Sequence, residues 1–240
     1  MTTTSVALVT GANKGIGREI ARGLATRGCT VLGSARDERR GRAAVAELNA
    51  DGRDVRFVQL DVTDERSIAA AARGISEEFG RLDVLVNNAG VVEQPYDTSG
   101  PVSVAAMRAV YETNVFGVVA VTDTMLPLLR RSDAGRIVNV SSRLGSLTAH
   151  TSPGSELPLF MAYNTSKSAL NAVTVCYARQ LADTVIRVNA CAPGMCATDL
   201  NGHRGDRTAE QGARIAIELA TIGWDGPTGG FFDDDGSVPW

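Results

Sequence analysis

The sequence predicts a single α/β domain of the doubly wound type, in which helices cover both faces of a parallel sheet of about seven strands. Three observations support this prediction. Short apolar runs alternate with longer stretches whose apolar residues recur about every four positions, the pattern of a β-α-β series. The strand-like runs, such as residues 82–86, lack polar alternation, as expected where both faces are covered. A glycine-rich turn joins the first strand to the first helix, and the length suits one domain over residues 1–240.

The elements follow one another in a regular order. Strands are expected at residues 6–9, 30–33, 55–60, 82–86, 136–140 and 186–190, with a short last strand at 230–232. The first helix presents Ile16, Ile20 and Leu24 on one face, and further helices are expected at 38–49, 65–79, 104–130, 161–182 and 203–221. Pro127 should distort the end of the long helix at 104–130. This order is that of a Rossmann fold, whose ligands bind at the carboxyl ends of the strands.

Composition and charge argue against several classes of function. A net charge of −3 gives no electrostatic reason to expect a nucleic acid or an anionic membrane as partner. No apolar run approaches the ~20 residues of a membrane span, and the first residues lack the basic start of a signal peptide. The four cysteines form no C-x-x-C pair, and two histidines, His150 and His203, are too few for a His-based zinc site. We therefore expect a cytoplasmic protein without a metal site.

Residues 10–17 form a turn suited to holding a phosphate. Gly11 permits a tight bend, Gly15 lets the backbone approach a phosphate, and Gly17 lets the following helix pack against the strand. The helix N-terminus then presents free N–H groups and the positive end of its dipole to a pyrophosphate. A tight strand-to-helix turn without a ligand is the alternative. The expected cofactor contacts in this turn are Gly11, Asn13, Lys14, Gly15, Ile16 and Gly17.

The end of the second strand bears on the choice of dinucleotide. Arg36 and Lys14 would place two cations beside a 2′-phosphate, which favours NADP(H). Asp37 lies about twenty residues after Gly17 and could instead bond a ribose 2′-hydroxyl, as in NAD-binding proteins. Arg36 and Lys14 could also be ordinary surface charges. The two cations lead us to predict NADP(H) as the cofactor.

A tyrosine and a lysine share one face of the helix expected at 161–182. Tyr163 and Lys167 are four positions apart, and Lys167 is one of only two lysines among 24 basic residues. A tyrosine hydroxyl has an ordinary pKa of about 10, and a nearby ammonium would lower it, which suits proton donation to a developing alkoxide. Ser141 or Ser142, at the end of the fifth strand, could hydrogen-bond a substrate carbonyl. Surface decoration of a helix and a serine-rich turn are the alternatives.

These motifs, in this order, resemble those of the short-chain dehydrogenase/reductase family. The matching residues are T-G-x-x-x-G-x-G at 10–17, Asp-Val at 61–62, N-N-A-G at 87–90, Asn114, Ser142, the Tyr163/Lys167 pair and Pro-Gly at 193–194. The resemblance implies a catalytic tetrad of Asn114, Ser142, Tyr163 and Lys167. It further implies that cofactor contacts come from Tyr163 and Lys167 and from Asp61, Val62, Asn88, Ala89, Gly90, Pro193, Gly194, Cys196 and Thr198.

The resemblance also implies a role for each member of the tetrad. Tyr163 would transfer the proton, and Ser142, which fits the family position better than Ser141, would orient the carbonyl. Lys167 would bind the nicotinamide ribose and acidify Tyr163. Asn114 would hold a water in a proton relay. Asp61 and Val62 would contact adenine.

Within that family, the chain most resembles the carbonyl-reductase-like branch. The stretches at 13–15, 34–37, 189–191 and 226–231 carry this resemblance. It implies NADPH-dependent reduction of a ketone, an aldehyde or a quinone. An NAD-dependent alcohol dehydrogenase of a biosynthetic or degradative pathway and a non-catalytic NADP(H)-binding sensor are the alternatives.

Three segments are expected to shape the substrate site, at about 91–103, 142–160 and 195–215. They follow strands whose carboxyl ends face the crevice. Tyr163 follows Ser142 by 21 positions, which is longer than in compact family members and shorter than in monomeric members with a large insertion here. A monomer and a homo-oligomer therefore both stay open. The expected substrate is a small carbonyl compound.

Overall fold

The structure, a computed structural model, describes residues 4–50, 52–92 and 103–240. Its strands are β1 (Val6–Val9), β2 (Thr30–Ala35), β3 (Val55–Gln59), β4 (Val84–Asn87), β5 (Arg136–Val140), β6 (Arg187–Cys191), β7 (Phe231–Asp233) and β8 (Gly236–Ser237). Across these residues they form an eight-stranded sheet in the order β3-β2-β1-β4-β5-β6-β7-β8, parallel except for the antiparallel pair of β7 and β8. The predicted doubly wound sheet is confirmed, with eight strands instead of about seven. The additional strand has two residues, too few to give a periodic apolar signal.

The α-helices in the described part of the chain are α1 (Gly15–Thr26), α2 (Glu38–Asn49), α3 (Glu65–Phe79), α4 (Val104–Tyr111), α5 (Gly117–Leu129), α6 (Leu147–Thr151), α7 (Met161–Gln180) and α8 (Ala209–Ala220). α2 and α3 have the predicted bounds. Each follows an aspartate, Asp37 or Asp64, whose side chain accepts a hydrogen bond from a backbone N–H of the first turn. α8 begins later than the expected residue 203, because Thr208 and Gln211 cap its first turn reciprocally.

The helix expected at 104–130 is interrupted by a π-helical turn at Glu112–Phe116, between α4 and α5. Directly after that turn, the helix approaches the chain that follows β3. A Cβ on Gly117 would lie 2.8 Å from the carbonyl oxygen of Val62, so the close approach requires glycine. The π-helical turn carries Asn114, and turns of this kind occur frequently at functional sites.

The same helical segment is long and apolar. Within the described residues, Val104–Leu129 is long and apolar enough to cross a membrane, contrary to the expectation from the sequence. In the fold α5 contacts α3 and β4, and α4 contacts α7, although Val110 is the one buried residue of α4. Val121 and Met125 are fully buried in those contacts. Pro127 does not end α5, which continues to Leu129.

Two apolar clusters cover the two faces of the sheet. On one face, Ile20 and Leu24 of α1 pack with α8 against β1 and β2. On the other face, Ile68 of α3, Met125 of α5 and Leu181, which follows α7, pack against β1, β4 and β5. Each such fully buried side chain contributes about 1.5–3 kcal/mol. Because the chain leaves β1 toward β2 and returns to β4 on the other side, a crevice opens at the carboxyl ends of β1 and β4.

Two of the three expected substrate segments lie in the described part of the chain. The segment at 142–160 contains a 3₁₀ turn at Arg143–Gly145 and α6, and the segment at 195–215 contains a 3₁₀ turn at Asp199–Asn201 and the start of α8. These elements, apart from α8, were not predicted because three to five residues carry no periodic signal. The expected segment at 91–103 lies almost wholly outside the described residues.

Candidate active site

The turn after β1 is fixed to the strands on both sides of it. The Thr10 backbone N–H donates a hydrogen bond to the Val86 oxygen of β4 at 3.0 Å. The Ala12 N–H donates to the Ser34 oxygen of β2 at 2.8 Å. The glycine turn therefore lies at the crevice between β1 and β4 and beside the end of β2.

Glycine is required at specific positions of this turn. Gly11 and Gly15 have φ values of +66° and +56°, which only glycine adopts without strain. A Cβ on Gly17 would lie 2.5 Å from the Gly11 oxygen and would also collide with the Asn88 amide. Gly17 was predicted to let the helix pack against the strand, whereas the close contacts are with the turn itself and with the segment after β4. Of the other predicted contacts in the turn, Asn13 and Ile16 are half-buried and Lys14 is exposed.

The N-N-A-G segment after β4 is tied directly to that turn. The Asn88 amide donates to the Thr10 oxygen at 2.8 Å and to the Gly11 oxygen at 3.3 Å. The Ala89 N–H donates to the Thr10 hydroxyl at 3.0 Å. A Cβ on Gly90 would lie 3.4 Å from Asn114 Oδ1 and 3.7 Å from the Lys167 ammonium, so Gly90 joins the glycine turn to the predicted catalytic residues.

The residues after β2 bear on whether the cofactor is NADP(H) or NAD(H). The Asp37 carboxylate accepts a hydrogen bond from the Arg40 N–H at 2.9 Å and so caps α2. Arg36, directly after β2, is exposed. The Ser34 hydroxyl is buried and has no hydrogen-bond partner among the described residues. Arg36 is therefore available to a ligand, whereas Asp37 already serves the helix.

Asn114 is buried, and its side-chain amide is hydrogen-bonded through both its oxygen and its nitrogen. Its Oδ1 accepts from the Val91 N–H and its Nδ2 donates to the Val91 oxygen, both at 2.9 Å. Nδ2 also donates to the Ser166 hydroxyl at 3.0 Å, and that hydroxyl donates to the backbone carbonyl oxygen of Tyr163. The π-helical turn thus links the segment after β4 to the first turns of α7.

Lys167 lies beneath Tyr163. The Lys167 ammonium is buried, lies 5.5 Å from the centre of the half-buried Tyr163 ring, and donates to the Val140 oxygen at 2.8 Å. Burial lowers the pKa of Lys167 from 10.5 to about 8. The neighbouring Cys191 thiol has its pKa raised to about 12 by burial, so it stays protonated at neutral pH.

The two serines after β5 have different environments. The Ser141 hydroxyl is buried and donates to Asn171 Oδ1 at 2.6 Å. Ser142 is half-buried, and its hydroxyl accepts a hydrogen bond from the Leu144 N–H at 3.2 Å. Because that contact leaves its proton unused, the Ser142 hydroxyl can donate to a ligand. This difference favours Ser142 over Ser141.

The remaining predicted contacts lie at the same edge of the sheet. Asp61 follows β3, and its carboxylate accepts from the N–H and the hydroxyl of Thr63.

After β6, Gly194 has a φ of +79°. The Cys196 thiol is buried against Gly212 of α8, so it serves packing. Thr198 contacts the glycine turn at Gly15. Pro193, between β6 and Gly194, accepts a hydrogen bond from the Cys196 thiol at 3.4 Å.

These residues fit a bound dinucleotide. The glycine turn leaves backbone N–H groups of the α1 start accessible, since a Cβ on Gly15 would meet only Thr198, at 3.4 Å. The Ser34 hydroxyl, which has no hydrogen-bond partner within the described part of the chain, and the exposed Arg36 lie beside this turn. A phosphate group placed there would be matched by donors and positive charge.

The sequence did not indicate several residues that shape the site. Asp199 forms an ion pair with Lys14 at 2.8 Å. Arg207 packs on Gly194, where a Cβ would lie 2.7 Å from its Cδ. Ser166 bonds Asn114. No sequence signal could have revealed the ion pair, because its two members are 185 positions apart.

Comparison with known proteins defines the class of protein. The family model described as short chain dehydrogenase matches residues 5–209. The chain therefore belongs to the short-chain dehydrogenase/reductase family and is an oxidoreductase with a Rossmann fold. The family assignment made from the ordered motifs is confirmed.

Similar proteins place the chain within this family. It is 40% identical to the short-chain dehydrogenase anuI of Penicillium roqueforti over 232 residues, which cover 92% of this chain and 90% of that protein. It is 37% identical to carbonyl reductase 1 (NADPH) of Bos taurus over 276 aligned positions, 98% of each chain. The structure of NADPH-bound carbonyl reductase from chicken fatty liver superposes with a TM-score of 0.86 at 27% identity, covering 100% of both chains. The chain thus belongs to the carbonyl-reductase-like branch.

Proposed function

We propose that this protein is an NADP(H)-dependent reductase of a ketone, aldehyde or quinone carbonyl, with Tyr163 as the proton donor. The observation that carries the proposal is the buried Lys167 ammonium, held beneath the Tyr163 ring by the Val140 oxygen. When bound, the reduced nicotinamide supplies the hydride. The chain's own residues position the carbonyl and provide the proton.

Each side chain has one task in this proposal. The Ser142 hydroxyl donates a hydrogen bond to the carbonyl oxygen and polarises it. Tyr163 gives its proton to that oxygen as negative charge develops. The Lys167 ammonium stabilises the tyrosinate that is left, and in a poorly solvated site this attraction is stronger than in water. Asn114, fixed beside Gly90 and near Lys167, holds a water that restores the proton.

The cations at the end of β2 support NADP(H) over NAD(H). Arg36 is exposed and Lys14 lies in the adjacent turn, so both can approach a 2′-phosphate. Asp37, which an NAD-binding protein would use for the ribose, caps α2 instead. The bovine relative is named an NADPH enzyme and the chicken structure contains NADPH. In this proposal the remaining cofactor contacts come from residues 61–62, 88–90 and 193–198, which follow β3, β4 and β6.

We further propose that the enzyme acts in the cytoplasm on a small carbonyl compound. Relatives of the chain include (−)-isopiperitenone reductase of Mentha piperita and salutaridine reductase of Papaver bracteatum, whose names describe reductions of small molecules. The slightly acidic charge of −3 gives no attraction to nucleic acid or to an anionic membrane surface.

Tyr163→Phe tests this proposal, because it removes one hydroxyl and keeps the ring. Turnover of NADPH with a reducible carbonyl should fall by about 10²–10⁴-fold. NADPH affinity, measured by fluorescence titration, should stay within about twofold of the wild type, since the ring over Lys167 is preserved. Retention of turnover by this variant would overturn the assignment of Tyr163.

A further inference from the structure

An ion pair joins the glycine turn to the loop that follows β6. The Lys14 ammonium donates a hydrogen bond to Asp199 Oδ2 at 2.8 Å. Both side chains are about half exposed, at 56% and 52%, and exposed pairs of this kind contribute little to stability. Folding therefore does not depend on this contact. Because it lies at the turn proposed to bind phosphate, the ion pair can instead affect cofactor binding.

Asp199 is held from its other side by His203. The His203 Nε2 lies 2.9 Å from Asp199 Oδ1, and the His203 backbone N–H donates to the Thr198 oxygen at 2.8 Å. Among the residues that the structure describes, His203 is the only non-glycine residue with a positive φ, +60°. Such a backbone is unfavourable for most side chains, so surrounding contacts must maintain it. Each oxygen of the Asp199 carboxylate thus has a partner, Oδ2 with Lys14 and Oδ1 with His203.

The loop that carries Asp199 packs directly on the turn. Thr198 lies against Gly15, where a Cβ would be 3.4 Å from the threonine methyl. The loop is closed at its base by the pairing of Cys196 with Arg207 and by the hydrogen bond from the Ala197 N–H to the Arg207 oxygen at 2.8 Å. Asp199 therefore faces the turn from an ordered loop.

Lys14 also belongs to the turn that lies beside the place proposed for the 2′-phosphate. The hydrogen bond from Ala12 to Ser34 sets the turn beside the end of β2. Lys14 follows Ala12 by two residues, and Arg36 follows Ser34 by two residues, so each cation lies two residues from this hydrogen bond. A 2′-phosphate carries close to two negative charges there, whereas the ribose of NAD(H) carries a neutral hydroxyl.

We propose that Asp199 is a specificity-determining residue, which sets the affinity for NADP(H) by competing with the 2′-phosphate for Lys14. The inference rests on the proposed cofactor. When the phosphate binds, the ammonium exchanges one anion for another, and Asp199 keeps His203 as its partner. NAD(H) presents no anion at this place, so the ion pair stays closed. Asp199 therefore weakens the binding of NADP(H) and leaves that of NAD(H) unchanged.

Asp199→Asn tests the competition, because it removes the charge and keeps the shape. Dissociation constants for NADPH and NADH are measured by fluorescence titration without substrate. The NADPH constant should fall by about three- to fivefold, and the NADH constant should not change. Asp206→Asn is the matched control: it removes a carboxylate from the same loop, and none of the contacts of Asp206 involves Lys14. It should change neither constant.

A Lys14→Gln background separates competition from a general change of charge. In that background, Asp199→Asn should no longer tighten NADPH binding. Equal tightening for NADPH and NADH would overturn the inference, since Lys14 would then serve the diphosphate that both share. Unchanged or weaker NADPH binding would also overturn it. If the wild-type protein does not bind NADPH at all, the proposed function fails, and that result is distinct from normal NADPH binding that Asp199→Asn leaves unchanged.

Discussion

The Lys167 ammonium lies 5.5 Å from the centre of the Tyr163 ring, one turn further along the same face of α7. Its hydrogen bond to the Val140 oxygen, at 2.8 Å, fixes it between β5 and the tyrosine. Burial lowers the pKa of Lys167 to about 8. This pair is the centre of the proposed chemistry, because a cation in that place stabilises the tyrosinate formed when the proton leaves.

The lowered pKa of Lys167 predicts a loss of activity in alkali. The ammonium is the active form, so kcat/KM for carbonyl reduction should fall about tenfold per pH unit above the pKa of about 8. The measurement is a set of initial rates over a pH series, with Lys167→Met as the inactive comparison. A rate that is level through this range would contradict the role of Lys167.

The same lowered pKa predicts that stability rises with pH, whereas activity falls. The unfolded lysine keeps its proton up to its ordinary pKa of 10.5, whereas the folded one loses it near 8. The unfolded state therefore binds more protons in this window, and the free energy of unfolding should rise with pH across it. Urea unfolding should show this rise in the wild type and not in Lys167→Met. A rise of equal size in the variant would show that other groups cause it.

Substitution of the two serines after β5 should separate catalysis from folding. Ser142→Ala should lower kcat by about 10²–10³-fold with little effect on stability, since its hydroxyl is proposed to polarise the carbonyl. Ser141→Ala should instead lower the free energy of unfolding by about 1–3 kcal/mol, because Asn171 loses a buried donor. Steady-state rates and urea unfolding of both variants provide the check. The reverse pattern would assign the carbonyl contact to Ser141.

Two glycine substitutions should act in opposite directions. Gly17→Ala should lower the free energy of unfolding by about 1–3 kcal/mol and weaken NADPH binding, because its Cβ would meet the Gly11 oxygen at 2.5 Å. Gly74→Ala, in α3, has open space around the added Cβ and should raise stability by about 0.5–1 kcal/mol. Thermal unfolding and NADPH titration measure both effects. Normal NADPH affinity in Gly17→Ala would contradict the assigned phosphate turn.

Substitution of Arg36 should change cofactor affinity, whereas substitution of Asp37 should change stability through the cap of α2. Arg36→Ala should weaken NADPH binding by about tenfold and leave NADH binding unchanged, since it removes a charge-assisted contact to the 2′-phosphate. Asp37→Ala should lower stability by about 0.5–2 kcal/mol through loss of the α2 cap and leave NADPH binding unchanged. Titration with both cofactors checks this. A specific loss of NADH binding in Asp37→Ala would favour the NAD-dependent alternative.

The positions of the strands and of the main helices along the chain could be predicted because their signals are local. Asp37 and Asp64 mark helix starts in the sequence, and the bounds of α2 and α3 were predicted correctly. The π-helical turn around Asn114 was not predicted, because it depends on packing of Gly117 against the Val62 oxygen, a contact between distant segments. β8 was not predicted because a strand of two residues is too short to give a periodic apolar signal.

The candidate site likewise contains residues that the sequence could indicate and contacts that only the folded chain reveals. The motif residues of the glycine turn and the Tyr163/Lys167 pair could be identified because chemistry restricts them to short spacings. The resemblance already favoured Ser142 over Ser141, and the folded chain adds a physical reason, the hydrogen bond of Ser141 to Asn171. The ion pair of Lys14 with Asp199 required the folded chain, since 185 positions separate its members.

The most direct test of the account is to measure NADPH and NADH consumption side by side, with a panel of ketones, aldehydes, quinones and small cyclic diketones. The account predicts turnover of several carbonyl compounds with NADPH, and slower turnover with NADH. Tight binding of NADPH with no turnover of any carbonyl compound would contradict it, and would identify the protein as a non-catalytic NADP(H)-binding sensor.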